Sequence, residues 1–136
     1  MTDSAPPEGW GRPYDVIAAN VRSLRALRRL SQADLAARLT YLGHAWAQST
    51  VVRVEAGKRP VSVAELFSLA LALAVSPSRL LDLERAELHG LVLAEGAALR
   101  TEDARAWLTG STDAVRVYWQ GNDIVTVDTN PGEAHS

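Results

Sequence analysis

Residues 24–82 read LRALRRLSQADLAARLTYLGHAWAQSTVVRVEAGKRPVSVAELFSLALALAVSPSRLLD. Two segments within this stretch, SQADLAARL (31–39) and QSTVVRVEAGKR (48–59), carry apolar residues every three or four positions. This spacing places the apolar side chains on one face of a helix. A strongly apolar segment follows, and then a segment that begins with Ser-Pro. The order predicts a small domain made of short, closely connected helices.

The beginning of the stretch predicts two helices with clear boundaries. The first runs over residues 15–29, and the second starts after Ser31, where Asp34 completes a capping-box pattern. Their apolar faces are formed by Ile17, Val21 and Leu24 in the first helix and by Leu35, Leu39 and Leu42 in the second. The second helix is expected to end at Gly43.

A third helix is predicted from Gln48 to Ala56, with Val51 and Val54 facing the core. Its outward-facing residues are polar: Gln48, Ser49, Thr50 and Arg53. Amide and guanidinium groups can bond two atoms of one base, and hydroxyl groups can donate or accept. This helix is therefore the candidate for contacts with base edges.

Two further helices are predicted after Pro60. Ser62 and Glu65 form a second capping-box pattern, and the helix that follows is apolar on nearly every side. Ala74 lies where a left-handed helix end would favour glycine, at an expected cost of about 1 kcal/mol. Ser76-Pro77 then starts the next helix.

The whole arrangement resembles the helix-turn-helix domain of the phage-repressor family, also called the Cro-like or XRE family. The resemblance covers residues 14–88 and implies a mainly α protein with a five-helix lambda-repressor-like domain. Members of such a family place one helix in the major groove of DNA. Here that helix is the third, and Gln48, Ser49 and Arg53 match base-reading positions.

The resemblance also implies phosphate contacts and one structural ion pair. Phosphate contacts are expected from Gln32, Lys58 and Arg59, with Arg38 and His44 as weaker candidates. Arg25 and Glu55 match a largely buried pair that ties the first helix to the third. A buried carboxylate is costly unless a guanidinium compensates its charge.

The connection between the second and third helices departs from the family. The usual link is a turn of three or four residues, whereas TYLGHAWAQ (40–48) makes this one about five residues longer. We interpret the extra residues as an additional helical turn and a loop plugged by Trp46. Ala47 is a poor cap for the third helix.

Beyond residue 89 the pattern predicts a small α/β extension over 89–129. GLVLAEG predicts a strand, and Thr101 is expected to cap a helix that stops at Gly110. AVRVYWQGNDIVTVDT (114–129) then predicts a β-hairpin turning at Gly121-Asn122. In that hairpin, Val115, Val117, Trp119 and Ile124 are expected on one face, and Tyr118, Val125 and Val127 on the other.

The hairpin is apolar on both faces, so it is expected to hold two copies of the chain together. The candidate dimerisation residues are Val117, Trp119, Ile124, Val125 and Val127. The second choice is an interface around Leu71 and Leu81. A flexible arm is predicted over 1–13 and a disordered tail over 130–136.

The distribution of charge agrees with DNA binding, although the net charge is −2. Residues 1–60 contain nine Lys and Arg against five Asp and Glu, whereas residues 61–136 contain five against eleven. The basic excess therefore lies in the half that holds the candidate recognition helix, where phosphate binding requires it.

Other classes of protein find little support in the sequence. The absence of cysteine excludes disulfides and thiolate metal sites, and the three histidines lack metal-binding spacing. No nucleophile elbow, P-loop or dinucleotide fingerprint occurs. We therefore expect no enzymatic activity, cofactor or metal. Without a signal pattern or a membrane-length apolar run, a cytoplasmic location without membrane contact is expected.

The sequence favours a sequence-specific transcriptional regulator, a repressor that binds an inverted-repeat operator in double-stranded DNA as a homodimer. The alternative is an antitoxin or anti-repressor that uses the same fold and binds a second protein through its C-terminal segment. Binding of specific DNA by the purified protein alone would favour the repressor, and co-purification of a partner would favour the alternative.

Overall fold

The structure is a computed structural model that describes residues 5–94, 96–110 and 115–129. It is mainly α-helical, with short strands towards the C-terminus, as predicted. The chain forms two compact units: Tyr14–Asp82, and the residues before it together with those after it. The boundary predicted at residue 88 therefore falls inside the second unit.

Five helices build the first unit, which confirms the predicted number. They are α1 (Pro13–Leu27), α2 (Gln32–Tyr41), α3 (Gln48–Glu55), α4 (Val63–Leu73) and α5 (Pro77–Leu80). Leu39 of α2, Val51 of α3 and Leu69 of α4 are fully buried in one shared core. Burying each such side chain contributes about 1.5–3 kcal/mol, so the apolar spacing of the sequence is the main cause of this packing.

Both predicted capping boxes are present. The Ser31 hydroxyl accepts from the Asp34 N–H at 2.9 Å, and the Asp34 carboxylate accepts from the Ser31 N–H at 2.9 Å. Hydrogen bonding of the Asp34 carboxylate to Ser31, above all to its backbone N–H, lowers the pKa of Asp34. Ser62 and Glu65 repeat the arrangement at the start of α4. Helix α2 is capped at its end by Leu42, and Gly43 follows with a φ of 100°.

The end of α4 keeps the expected left-handed geometry although no glycine is present. Ala74 has φ 58° and ψ 47°, a conformation that costs a non-glycine residue about 1 kcal/mol. The Arg28 guanidinium donates to the carbonyl groups of Leu73 and Ala74 at 2.9 and 3.4 Å. These bonds satisfy carbonyl groups that the helix leaves without a partner.

The buried side chain of Asn20 joins α5 to α1, a contact that the sequence did not predict. Asn20 is fully buried, and its side chain donates to the carbonyl groups of Leu80 and Asp82, both at 3.0 Å. Its oxygen accepts from Arg79 at 3.1 Å. A buried amide is stable only when its polar atoms are paired in this way.

The second unit contains a three-stranded sheet with the order β1-β2-β3. Its strands are β1 (Trp10–Gly11), β2 (Gly90–Ala94) and β3 (Ala97–Arg100). Strand β1 pairs in parallel with β2, and β2 pairs antiparallel with β3. The flexible arm predicted over 1–13 is therefore wrong at residues 10–11, and β3 was not predicted.

A close approach explains why the N-terminal segment stays on the sheet. The Trp10 ring lies against Gly90, where an added Cβ would come within 2.4 Å of two ring carbons. The His89 N–H also donates to the Gly9 carbonyl at 2.7 Å. The tryptophan needs glycine opposite it, a relation between residues far apart in the sequence.

Helix α6 (Thr101–Leu108) follows β3 directly, and its cap differs from the prediction. The N-cap residue is Arg100, which makes no side-chain capping bond. Thr101 is the first helical residue, and its hydroxyl donates to the Leu88 carbonyl at 2.6 Å. Thr101 therefore ties α6 to the segment before β2 instead of capping the helix.

The predicted hairpin is formed by β4 (Val115–Gln120) and β5 (Asp123–Thr129). Trp119 pairs with Ile124, but a register shift follows, so Val117 pairs with Val127. Because directly opposite residues share a face, the prediction that placed Val127 on the other face is wrong. The side chain of Val125 and the tail 130–136 lie outside the described residues.

Candidate nucleic-acid interface

One face of α3 is exposed and the other is part of the core. Val51 and Val54 are buried, whereas Gln48, Ser49 and Arg53 are exposed. The apolar anchors lie three positions apart, which fixes the rotation of the helix about its axis. The structure thus brings three of the predicted base-reading residues to one open surface.

Val52 lies on the same surface and was missed by the sequence analysis. Its side chain is 44% exposed, although valine usually packs inside a protein. It follows Gln48 by four positions, a spacing that could have identified it. An apolar group in the major groove can contact the methyl group of thymine, so Val52 adds an apolar element to this polar face.

Thr50 is used differently from the other three predicted residues. It is half-buried, and its hydroxyl accepts from the Ala47 N–H at 3.1 Å. Ala47 has no side-chain acceptor with which to cap α3. The bond from Thr50 therefore stabilises the first turn, and it commits part of the hydroxyl group to the helix start.

The ion pair expected between Arg25 and Glu55 is present, and it joins α1 to the end of α3. Two guanidinium nitrogens donate to the two carboxylate oxygens, at 2.5 and 3.0 Å. Glu55 is only 5% exposed. The hydrogen bond with Glu55 raises the pKa of Arg25. Such a two-point contact holds planar groups in a defined geometry.

Gln32, predicted to contact phosphate, lies beside this pair. Its amide donates to the Glu55 carboxylate at 3.2 Å, while Arg22 donates to the Glu55 carbonyl at 2.8 Å. Gln32 thus helps to satisfy a buried acid, as a buried carboxylate requires.

The remaining phosphate candidates divide into one exposed cation and three side chains with partners in the domain. Lys58 is exposed directly after α3. Arg38 donates to the Ala72 carbonyl at 2.8 Å, and His44 lies 2.8 Å from the Ser68 hydroxyl. Arg59 donates to the Glu65 carboxylate. Lys58 is therefore the candidate whose charge is most available to a phosphate.

Glu65 is the centre of a cluster that also contains Trp46 and Arg59. Both terminal guanidinium nitrogens of Arg59 donate to the two Glu65 oxygens at 3.0 Å. The Trp46 indole N–H donates to the same carboxylate at 3.1 Å, and the Arg59 guanidinium lies 5.1 Å from the centre of the Trp46 ring. Trp46 is buried, as expected of a residue that plugs the loop. We call these three residues the Glu65 cluster.

Hydrogen bonding to Arg59, followed in weight by that to Ser62 and Trp46, lowers the pKa of Glu65 to about 2. The same contact raises the pKa of Arg59. The carboxylate is thus charged at neutral pH and neutralises Arg59 locally. The sequence identified Glu65 only as a capping residue, because its other partners depend on the folded arrangement of two loops.

A second exposed surface of the helical unit is apolar. A groove of about 430 Å³ is lined mainly by Ala37, Tyr41, Leu42 and Leu71. Leu71 and Phe67 of α4 are more than half exposed. Within the described residues, no helix is long and apolar enough to cross a membrane. The same residues contain no cluster of histidines and acids arranged to hold a metal ion.

In comparisons with known proteins, residues 21–80 match a family model described as helix-turn-helix. Among solved structures, the chain is similar to the restriction-modification controller protein C.AhdI from Aeromonas hydrophila, with 33% identity and a TM-score of 0.44, over 49% of this chain and 94% of that one. It is also similar to the hypothetical transcription factor NHTF from Neisseria, with 23% identity and a TM-score of 0.47, over 60% of this chain and 86% of that one. No curated protein sequence matches the chain.

Proposed function

We propose that the chain, whose residues 21–80 match a helix-turn-helix family model, is a DNA-binding transcriptional repressor that binds an inverted-repeat operator as a homodimer. In this proposal α3 enters the major groove and reads base edges. Lys58 contacts the phosphate backbone beside it.

The exposed face of α3 is the observation that carries the proposal. Gln48, Ser49 and Arg53 supply amide, hydroxyl and guanidinium groups on one surface, with Val52 between them. The acid within α3, Glu55, is buried beneath this surface and paired with Arg25. The surface therefore offers donors and a positive charge to DNA without an exposed carboxylate on the same helix, which would repel phosphate.

Selection of bound sites from random duplex DNA by the purified full-length protein tests the proposal. We expect enrichment of a sequence with two inverted half-sites whose centres lie about one helical turn, roughly 34 Å, or a multiple of it apart. Such spacing is required when two related recognition helices contact one side of the duplex. Recovery of sequences without any shared motif would contradict the proposal.

The hairpin is the proposed dimer contact. Trp119 is 60% exposed, and its neighbours Val117 and Tyr118 are also exposed. Large apolar side chains exposed on both faces of a hairpin are costly to leave in water and are typical of contacts between proteins. The surface around Leu71, which is 69% exposed, is the competing contact.

Two variants separate these contacts: Trp119→Glu in the hairpin and Leu71→Glu in α4. Both side chains are exposed, so a charge at either position should leave the fold intact. We expect Trp119→Glu to sediment as a monomer and Leu71→Glu to remain a dimer, because a buried unpaired charge disfavours an interface. The reverse result would move the interface to α4, and a monomeric wild-type protein would contradict the dimer.

A further inference from the structure

The Glu65 cluster joins the two segments of chain that flank α3. Trp46 lies in the loop before α3, and Arg59 lies in the segment after it. Both side chains bind one carboxylate in the first turn of α4. The carboxylate also accepts from the Ser62 N–H at 2.9 Å. One acid on α4 therefore connects both ends of α3 to a neighbouring helix.

The length of the loop explains why such a connection is needed. Six residues, 42–47, separate α2 from α3, whereas a tight turn of three or four residues is common in this motif. Each additional residue brings backbone freedom that has to be restrained for the two helices to keep one relative orientation. Trp46 restrains this loop by its burial and by the bond to Glu65, and the bond between His44 and Ser68 adds a second attachment to α4.

The cluster also changes what Arg59 can do. Both of its terminal nitrogens are bonded to Glu65, and the guanidinium lies over the Trp46 ring. A phosphate would have to compete with a carboxylate that already matches the planar guanidinium. Lys58, the preceding residue, is exposed. The charge of Arg59 is thus compensated by Glu65, whereas the charge of the adjacent Lys58 is exposed to solvent.

We propose that Glu65 is a positioning residue for DNA recognition: by holding Trp46 and Arg59, it fixes the orientation in which α3 presents its outer face, and it withdraws Arg59 from phosphate binding. This inference rests on the proposed function, since it assigns a role in the same interface. It predicts that Glu65 affects binding to the operator differently from binding to random DNA. Base contacts require a defined helix orientation, whereas contacts with phosphates tolerate many.

The variant Glu65→Gln isolates this role, because glutamine at this position can still complete the capping box. Glutamine carries no charge, so Arg59 is no longer neutralised. Affinity should be measured by fluorescence anisotropy on the selected operator and on a random duplex of equal length, at one salt concentration. We expect operator affinity to fall by about tenfold or more, the effect of losing one good base contact. Affinity for random DNA should stay equal or increase slightly, because Arg59 becomes available to phosphate.

Glu84→Gln is the matched control, since it makes the same change of charge at an exposed ion pair with Arg105 in the other unit. Its ratio of operator to random affinity should equal that of the wild type. An unchanged ratio of operator to random affinity in Glu65→Gln would overturn the positioning role. This includes an equal loss on both duplexes, which indicates destabilisation alone. A wild-type protein without a preferred duplex would instead contradict the proposed function.

Arg59→Lys provides an independent arm if Glu65→Gln is poorly folded by circular dichroism. Lysine keeps the positive charge but lacks the planar fork that binds both carboxylate oxygens. If Arg59 acts through the cluster, this variant loses operator affinity and keeps its affinity for random DNA. If Arg59 is a phosphate contact, lysine replaces it and both affinities stay close to wild type, which would overturn the proposal.

Discussion

Two arginine–glutamate pairs hold α3, and they differ in depth and in place. Arg25–Glu55 connects the end of α3 to α1, and its carboxylate is 5% exposed. Arg59–Glu65 connects the segment after α3 to α4, and its carboxylate is 14% exposed. Both are two-point contacts between a guanidinium and a carboxylate.

The difference lies in what each pair can control. Glu55 belongs to α3 itself and lies beneath it, so the loss of its charge affects the packing of the domain. Glu65 lies outside α3 and acts through the two flanking segments. We call Arg25–Glu55 the inner pair and Arg59–Glu65 the outer pair. We infer that the inner pair mainly stabilises the fold and that the outer pair mainly orients the exposed face of α3.

Glu55→Gln should have the largest effect on stability. It leaves the Arg25 guanidinium in a partly buried place without a compensating charge. Breaking one side of a buried pair costs about 3–5 kcal/mol, and we expect a loss of that size in the free energy of unfolding measured by urea titration. Glu84→Gln, at an exposed pair, should lose less than about 1 kcal/mol. Similar losses in the two variants would show that the depth of the Glu55 pair has no energetic consequence.

The contribution of the outer pair to the free energy of unfolding should depend on pH. Because the folded pKa of Glu65 is about 2 and lies below its ordinary value of 4.5, the pair stabilises the protein above pH 4.5, and this contribution disappears as the pH falls towards 2. The free energy of unfolding of the wild type should exceed that of Glu65→Gln by roughly 2 kcal/mol at neutral pH, after allowance for partial exposure to water.

Unfolding of both proteins at a series of pH values measures this difference. The gap should narrow steadily between pH 4.5 and pH 2, because the wild-type carboxylate becomes protonated in the folded state as well. All other acids titrate in both proteins, so their effect on stability cancels when the wild type is compared with Glu65→Gln. A gap independent of pH would show that the charge of Glu65 is not the source of its contribution.

The inner pair could be anticipated from the sequence and the outer pair could not. Arg25 and Glu55 match a pair of the family that the sequence resembles, and the regular spacing of Val51 and Val54 fixes which side of α3 faces inward. The contacts of Glu65 depend on the path of a loop longer than the common turn. No periodic signal in the sequence describes such a path, so only the capping role of Glu65 was predicted.

The strands show the same limit. The turn at Gly121-Asn122 predicted the hairpin, but the register shift that pairs Val117 with Val127 left no signal in the alternation. Strand β1 was missed because two residues are too few to show a period. Its place depends on Trp10 packing against Gly90, which a reading of local sequence does not detect.

A comparison of Arg53→Ala with Lys58→Ala tests the proposed reading of base sequence by the outer face of α3. Both side chains are exposed, so neither change should disturb the fold. Binding of each variant to the selected operator and to random duplex should be titrated at several salt concentrations. We expect Arg53→Ala to lose about 1–3 kcal/mol on the operator and little on random DNA, and Lys58→Ala to weaken both alike with a shallower salt dependence. An Arg53→Ala protein that binds the operator as tightly as wild type would contradict base reading by this face of α3.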